Sequence, residues 1–210
     1  MPLILENCIL DDTSAIVRIS AAAFGKPSPI NVFPDTPTVN AFRKKRAMHS
    51  FQHDPFLIFI KIVDTELPPD QQIIAFAKWT KPHTKEERAK SGFTDLLMTD
   101  ELPAECNRQL IRDLEVVKNK QVKEVMGDRT FYHLDVLATH PDHGGKGCAG
   151  RLVRWGMQRA DEEGIECYVE AQDTSKPIFV KYGWKEERDL VVQGEKRGTI
   201  LVYTPGKNQD

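Results

Sequence analysis

At 210 residues the chain is long enough to bury a sizeable core, and nothing in its composition requires a division, so residues 1–210 are read as one domain. Its 29 Lys and Arg against 31 Asp and Glu leave a net charge of -2, which provides no broad cationic field and excludes nucleic acid as the expected partner. Four scattered cysteines without CxxC spacing fit neither a zinc ribbon nor a disulfide scaffold, and no segment approaches a membrane-spanning length, so a cytoplasmic protein with no membrane partner is expected.

Leu3 to Leu10 reads as a strand. Asp11-Asp12-Thr13 then offers cap oxygens to a helix whose apolar positions Ile16, Ile19, Ala22 and Ala23 recur at helical spacing, and which should stop near Gly25. The Pro-rich piece Lys26 to Pro37 is irregular, after which Thr38 can cap a second helix carrying the basic run Arg43-Lys44-Lys45-Arg46, read as a solvated face. Phe56 to Val63 and Ile73 to Trp79 are rich in β-branched and aromatic residues and form a hairpin, with Pro68-Pro69-Asp70 in the reversal. From Pro82 to about Arg129 the chain is polar and helical. Thr84-Lys85-Glu86-Glu87 has capping-box form, Leu110, Leu114 and Val117 recur every three or four residues, and residues 83–129 are expected to form an inserted helical lid. Thr130 to Thr139 is then a strand, Gly145 to Glu163 a helix, Glu166 to Ala171 a strand and Ser175 to Tyr182 a short helix, before closing strands at Leu190 to Val192 and Thr199 to Tyr203. This order predicts an α/β (α+β) fold, a mixed and mostly antiparallel sheet of about seven strands flanked by helices, rather than a repeating βαβ fold.

The segment His140 to Gly150 links a strand to a helix, and its glycines let backbone N–H groups approach a ligand without Cβ obstruction. Unpaired amides and the positive dipole end at a helix start attract anions, which suits a pyrophosphate, and Lys146 adds one mobile charge. Ala149, Leu152, Val153, Gly156 and Ala160 form a stripe that anchors this helix on the sheet. Gly145-x-Gly147-x-x-Gly150 also spells the dinucleotide fingerprint, with Glu170 about the expected distance downstream. Context opposes that Rossmann reading, because His140 to Gly144 separate the glycines from the strand and too little chain follows for several more βα units.

The run Leu137-x-Thr139-x-Pro141-x-x-Gly144-Gly145-Lys146-Gly147-Cys148-Ala149, followed by Leu152, resembles motif A of the GCN5-related N-acetyltransferase (GNAT) superfamily, whose core is Q/R-x-x-G-x-G/A. Gly147 and Ala149 match its last two positions, whereas Gly144 stands where Gln or Arg is usual. Tyr168 to Ala171 and then Phe179-Val180-Lys181-Tyr182-Gly183-Trp184 resemble the next strand and the "LYEKxGF" helix end, and Arg154-Trp155-Gly156 with Ala160-Asp161 is similar to fungal-type members. The resemblance spans about residues 130 to 190 and implies a GNAT-like fold with an acetyl-CoA donor lying in a cleft between the fourth and fifth strands. It further implies a cofactor site built from Leu137, Ala138 and Thr139 along the pantetheine arm, from Gly144, Gly145, Lys146, Gly147, Cys148, Ala149 and Gly150 at the pyrophosphate, and from Gln172 and Phe179, with no metal.

Simple alternation places Phe131, His133, Asp135, Leu137 and Thr139 on one face of the strand, with Tyr132, Leu134, Val136 and Ala138 on the core face. Ionisable residues are expensive to bury without a task or a partner. A protonated amine must lose a proton before attacking a thioester, and histidine supplies a base near neutral pH, so His133 is the expected general base. Asp135 is expected to orient it or to bind the amine; the alternative is a structural pair held against the lid. The family usually offers a Tyr to the leaving thiolate where this chain has Phe179, and Tyr182 is the candidate substitute. Cys148 and Cys167 read as small core residues rather than nucleophiles. The expected activity is therefore acetyl transfer to a small-molecule or peptide amine by a monomer or homodimer, the rival being a silent coenzyme A-binding module.

Overall fold

The structure is a computed structural model that describes residues 3–25 and 32–206. A seven-stranded sheet runs in the order β1-β2-β3-β4-β5-β7-β6, formed by β1 (Leu3–Asn7), β2 (Leu57–Asp64), β3 (Ile73–Thr80), β4 (Phe131–Thr139), β5 (Glu166–Ala171), β6 (Lys185–Val192) and β7 (Glu195–Tyr203). Every neighbouring pair is antiparallel except β4 and β5. A single parallel pair within this strand order excludes the doubly wound dinucleotide fold, so the fingerprint spelled by Gly145 to Gly150 is coincidental in that sense.

The described residues also form six α-helices: α1 (Thr13–Phe24), α2 (Pro37–His53), α3 (Lys85–Ser91), α4 (Arg108–Met126), α5 (Cys148–Glu163) and α6 (Lys176–Lys181). Leu152, Val153 and Ala160 of α5 pack on Ile60, Trp79 and Tyr132 from one side. On the other side Ile16 and Ile19 of α1 meet Phe59 and Phe76, and Leu110 and Met126 of α4 meet Tyr168 and Ile200. The stripe of α5 is close to the expected one, except that Ala149 is only half-buried and Cys148 and Gly150 face inward instead.

Local chemistry explains most boundaries. Thr84 accepts from the Glu87 amide while the Glu87 carboxylate accepts from the Thr84 amide, which closes the expected capping box and starts α3. The second helix is capped by Thr36, not Thr38: its hydroxyl accepts from the Val39 amide, and Pro37 then takes the first helical position, where its missing N–H is harmless. Part of the Pro-rich Lys26 to Pro37 segment, residues 26–31, lies outside the described residues. The first strand ends at Asn7, and Leu10–Asp12 is a single 3-10 turn. The last hairpin is longer than expected because Lys185 to Asp189 are exposed and charged yet pair with β7, which turns back at Gln193 (φ 54°) and Gly194 (φ 76°).

Gly156 sets the distance between α5 and the sheet, since a Cβ there would lie 2.4 Å from two ring atoms of Trp79, a fully buried side chain. Gly156→Ala should therefore destabilise the protein by roughly 1–3 kcal/mol through overpacking, in spite of alanine's better helix propensity. Chemical denaturation of the two proteins checks this, and an equal or higher midpoint for the variant contradicts the close-packing account.

Candidate active site

Strands β4 and β5 pair over only four positions, from Phe131↔Glu166 to Leu134↔Val169. Beyond them β4 continues to Thr139 and β5 to Ala171 without a shared ladder. The register between β3 and β4 shifts at this same point: Trp79 faces Leu134 and Lys78 faces Val136, so Asp135 is an extra residue, a β-bulge. The bulge corrects the simple alternation. Leu137 returns to the α5 side with Tyr132 and Leu134, while Val136 and Ala138 pack on the α1 side. Asp135 stays on the α1 side, where its Oδ2 accepts from Thr80 Oγ1 at 2.6 Å.

A cavity of about 670 Å³ passes through this split. On the donor side it is lined by Leu137, Ala171, Gln172, Ser175 and Phe179, and on the α1–α2 side by Arg43, Arg46, Lys78, Lys118, Asp135 and Glu170. The expected site residues Leu137, Gln172, Phe179 and Asp135 thus meet in one space. His133 stands one bond behind the wall, with Nε2 2.9 Å from Glu170 Oε2 and Nδ1 3.6 Å from Asp135 Oδ1. Lys118 Nζ lies 3.7 Å from the same Glu170 oxygen.

Burial opposes charge on Glu170, but the charges of Lys118 and His133 and the hydrogen bond from His133 outweigh it and hold the carboxyl down at about 2. Glu170 is therefore an anion, and it fixes the neutral imidazole as the Nε2–H tautomer with a free lone pair on Nδ1. Burial likewise disfavours the imidazolium, yet the charges of Glu170 and Asp135 prevail and His133 is raised above its ordinary 6.5.

The loop before α5 has the properties an anion needs. Gly147 is the N-cap residue, Gly145 and Gly147 both sit at φ 76°, and no side chain caps the 16-residue helix. A Cβ on either glycine would meet nothing within 4 Å, so the approach to these amides is open. With the split strands and the donor side of the cavity alongside, these residues fit a coenzyme A donor. Lys146 is not a mobile charge, because its Nζ is 3.0 Å from Asp64 Oδ2 at the end of β2. The Ala138 side chain lies in the core on the α1 side, and the buried Thr139 hydroxyl has no hydrogen-bond partner among the described residues. Tyr182 is not on the cavity wall: its hydroxyl lies where a Cβ on Gly150 would be, 2.4 Å away, and its ring is under Arg154. Phe179 takes the cavity position, so the expected replacement of the family's Tyr by Tyr182 is not supported by its placement. Cys148 and Cys167 are buried with their thiols pushed up by desolvation, which makes either a poor nucleophile.

The sequence alone does not bring Glu170, Lys118, Lys78, Arg43 and Arg46 to the cavity, where the structure places them. Glu170 was detectable, two residues after Tyr168 and hence on the same face of β5, but the basic run on α2 carried no sign that two of its arginines turn inward.

A family model described as "Acetyltransferase (GNAT) domain" matches residues 81–201, more than half of the chain. The chain belongs to the GNAT acetyltransferases. It is accordingly an acetyl-CoA-dependent acyltransferase, and the seven-stranded sheet is the GNAT fold. A sequence search of curated proteins returns no match. Among solved structures, the GNAT chain is similar to "histone acetyltransferase HPA2 and related acetyltransferase" from Corynebacterium glutamicum, with 16% identity, a TM-score of 0.64 and coverage of 100% of both chains. Drosophila melanogaster polyamine N-acetyltransferase is similar at 13% identity and a TM-score of 0.64, over 97% of this chain and 100% of that one. PaiA N-acetyltransferase of Thermoplasma acidophilum, solved with coenzyme A, is similar at 11% identity and a TM-score of 0.56, over 97% of this chain and 99% of that one.

Removing the Glu170 charge should lower the His133 pKa. In Glu170→Gln, titration of the His133 ring protons by NMR is expected to show a midpoint below that of the wild type, and an unchanged midpoint contradicts the assigned coupling.

Proposed function

We propose that this GNAT enzyme transfers an acetyl group from acetyl-CoA to the amine of a small molecule, with His133 as the general base. The observation that carries this reading is the His133–Asp135–Glu170 cluster standing at the point where the sheet splits. Acetyl-CoA supplies an activated thioester carbonyl. Main-chain N–H groups of Gly145, Gly147 and Ala149 are suited to its pyrophosphate, and Leu137, Gln172 and Phe179 to the arm that reaches the cavity.

The acceptor arrives as an ammonium, which Asp135 attracts at the cavity wall. Its proton passes to Nδ1 of His133, directly or through water, while Glu170 holds Nε2–H and stabilises the resulting imidazolium. The neutral amine then attacks the thioester, the carbon–sulfur bond breaks, the nitrogen gives up its second proton to solvent as the amide forms, coenzyme A leaves as a thiolate that takes a proton from solvent, and His133 returns its own proton to solvent. A thiol pKa near 8.5 makes that departure feasible without a side-chain acid, consistent with Phe179 in place of a Tyr. Residues 83–129, with α3 and α4, are proposed as the wall that closes the acceptor side, since Lys118 of α4 reaches the cavity. The fungal-type affinity is supported by the Leu137-Ala138-Thr139 strand end and the Arg154-Trp155-Gly156 helix.

His133→Ala should lower turnover about 10²- to 10⁴-fold, the usual worth of a positioned base, while leaving acetyl-CoA affinity nearly intact. Thiol release over a panel of amines, together with titration of acetyl-CoA, separates the two effects. Unchanged turnover removes His133 from the role; binding without thiol release for any amine favours the silent-module reading. Because the raised His133 must be neutral to act, kcat/KM should climb with pH through a midpoint above 6.5, and a flat profile over that range contradicts the base assignment.

A further inference from the structure

We infer that the preferred acceptor is amino-acid-like, its amine at Asp135 and a carboxylate of the same molecule held by Arg43 of α2 and Lys78 of β3, an inference that rests on the acyl-transfer reading above.

Four cations line the acceptor side of the cavity, but two of them are already matched. Arg46 makes a two-point contact with Asp95, at 2.7 Å from each oxygen, and Lys118 pairs with Glu170. Among the described residues Arg43 is held by neutral acceptors only, donating to Asn40 Oδ1 at 2.9 Å and to the Phe33 carbonyl at 2.8 Å. Lys78 makes no ion pair or side-chain hydrogen bond among the described residues, although it lines the cavity from the middle of the sheet. Carboxylates act on these two groups at longer range, Asp35 on Arg43 and Asp135, Asp95 and Asp54 on Lys78.

Burying an ammonium without a hydrogen-bonded counter-charge is costly, and burial indeed lowers the pKa of Lys78. An anion supplied by the ligand removes that cost, and a guanidinium whose fork retains unused donors suits a carboxylate. Lys78 is in register with Val136, beside Asp135, so the cationic and anionic parts of the wall adjoin, as the two ends of an amino acid do. A polyamine would instead bring a second cation against Arg43 and Lys78. The volume of about 670 Å³, shared with the end of the donor, also suits a small molecule.

The test is thiol release by the full-length enzyme with matched acceptors: arginine against agmatine, ornithine against putrescine, phenylalanine against phenethylamine, each amino acid also as its amide. At least one amino acid should exceed both its decarboxylated and its amide partners about tenfold in kcat/KM. Arg43→Gln should reduce that ratio about tenfold, and Lys78→Met gives the same reading should the first variant fail to fold. If the plain amines or peptide N-termini are turned over as well as the amino acids or better, the inference is overturned while acetyl transfer stands. If no amine of any class releases thiol, both fall together.

Discussion

The site depends on a parallel ladder that is only four pairs long. Strands β4 and β5 leave each other after Leu134 and Val169, and Asp135 enters β4 as an extra residue at that point. Main-chain polar groups inside a protein need partners, so an edge opened in the middle of a sheet is a place for something else to bind. The cavity at that edge is lined from both faces of the sheet, by Leu134, Leu137 and Phe179 on the α5 side and by Phe59, Phe76 and Val136 on the α1 side. Packing keeps the split in place. Gly156 admits the Trp79 ring, so α5, whose N-terminus no side chain caps, is pressed closely against the sheet.

The same bulge organises the charges. It keeps Asp135 on the face of His133, where Thr80 holds one of its oxygens, and it sets Val136 opposite Lys78. Glu170 comes from the neighbouring strand and is almost wholly buried, which is sustainable because an imidazole and an ammonium approach the same oxygen. Its remaining oxygen has no hydrogen-bond partner among the described residues. A buried carboxylate matched in this way orients the histidine more than it stabilises the fold.

Much of this was legible in the residues. Periodicity located α1, α4 and α5, the capping box located α3, and β-branched and aromatic runs located the hairpin of β2 and β3. The glycines before α5 and the His133-x-Asp135 pattern pointed to the uncapped helix start and to the place where β4 and β5 part. What escaped has physical causes. A bulge inserts one residue without any compositional mark, so the period-2 rule put Leu137 and Val136 on the wrong faces. Thr36 outcompeted Thr38 as a cap because Pro37 favours the first helical position. The start of β6 reads as a charged loop, since an edge strand can be exposed and still pair. Arg43 and Arg46 look like a solvated run until α2 is set beside β3, and Lys78 within an apolar strand gives no hint that it faces a cavity rather than a carboxylate.

Hydrogen exchange with and without coenzyme A tests the central claim most directly, because it reads main-chain amides one segment at a time. Bound coenzyme A should slow exchange at residues 145–150 and along residues 135–139, with little change on the distant β6–β7 hairpin. Protection confined to other segments, or none at saturating coenzyme A, contradicts the account.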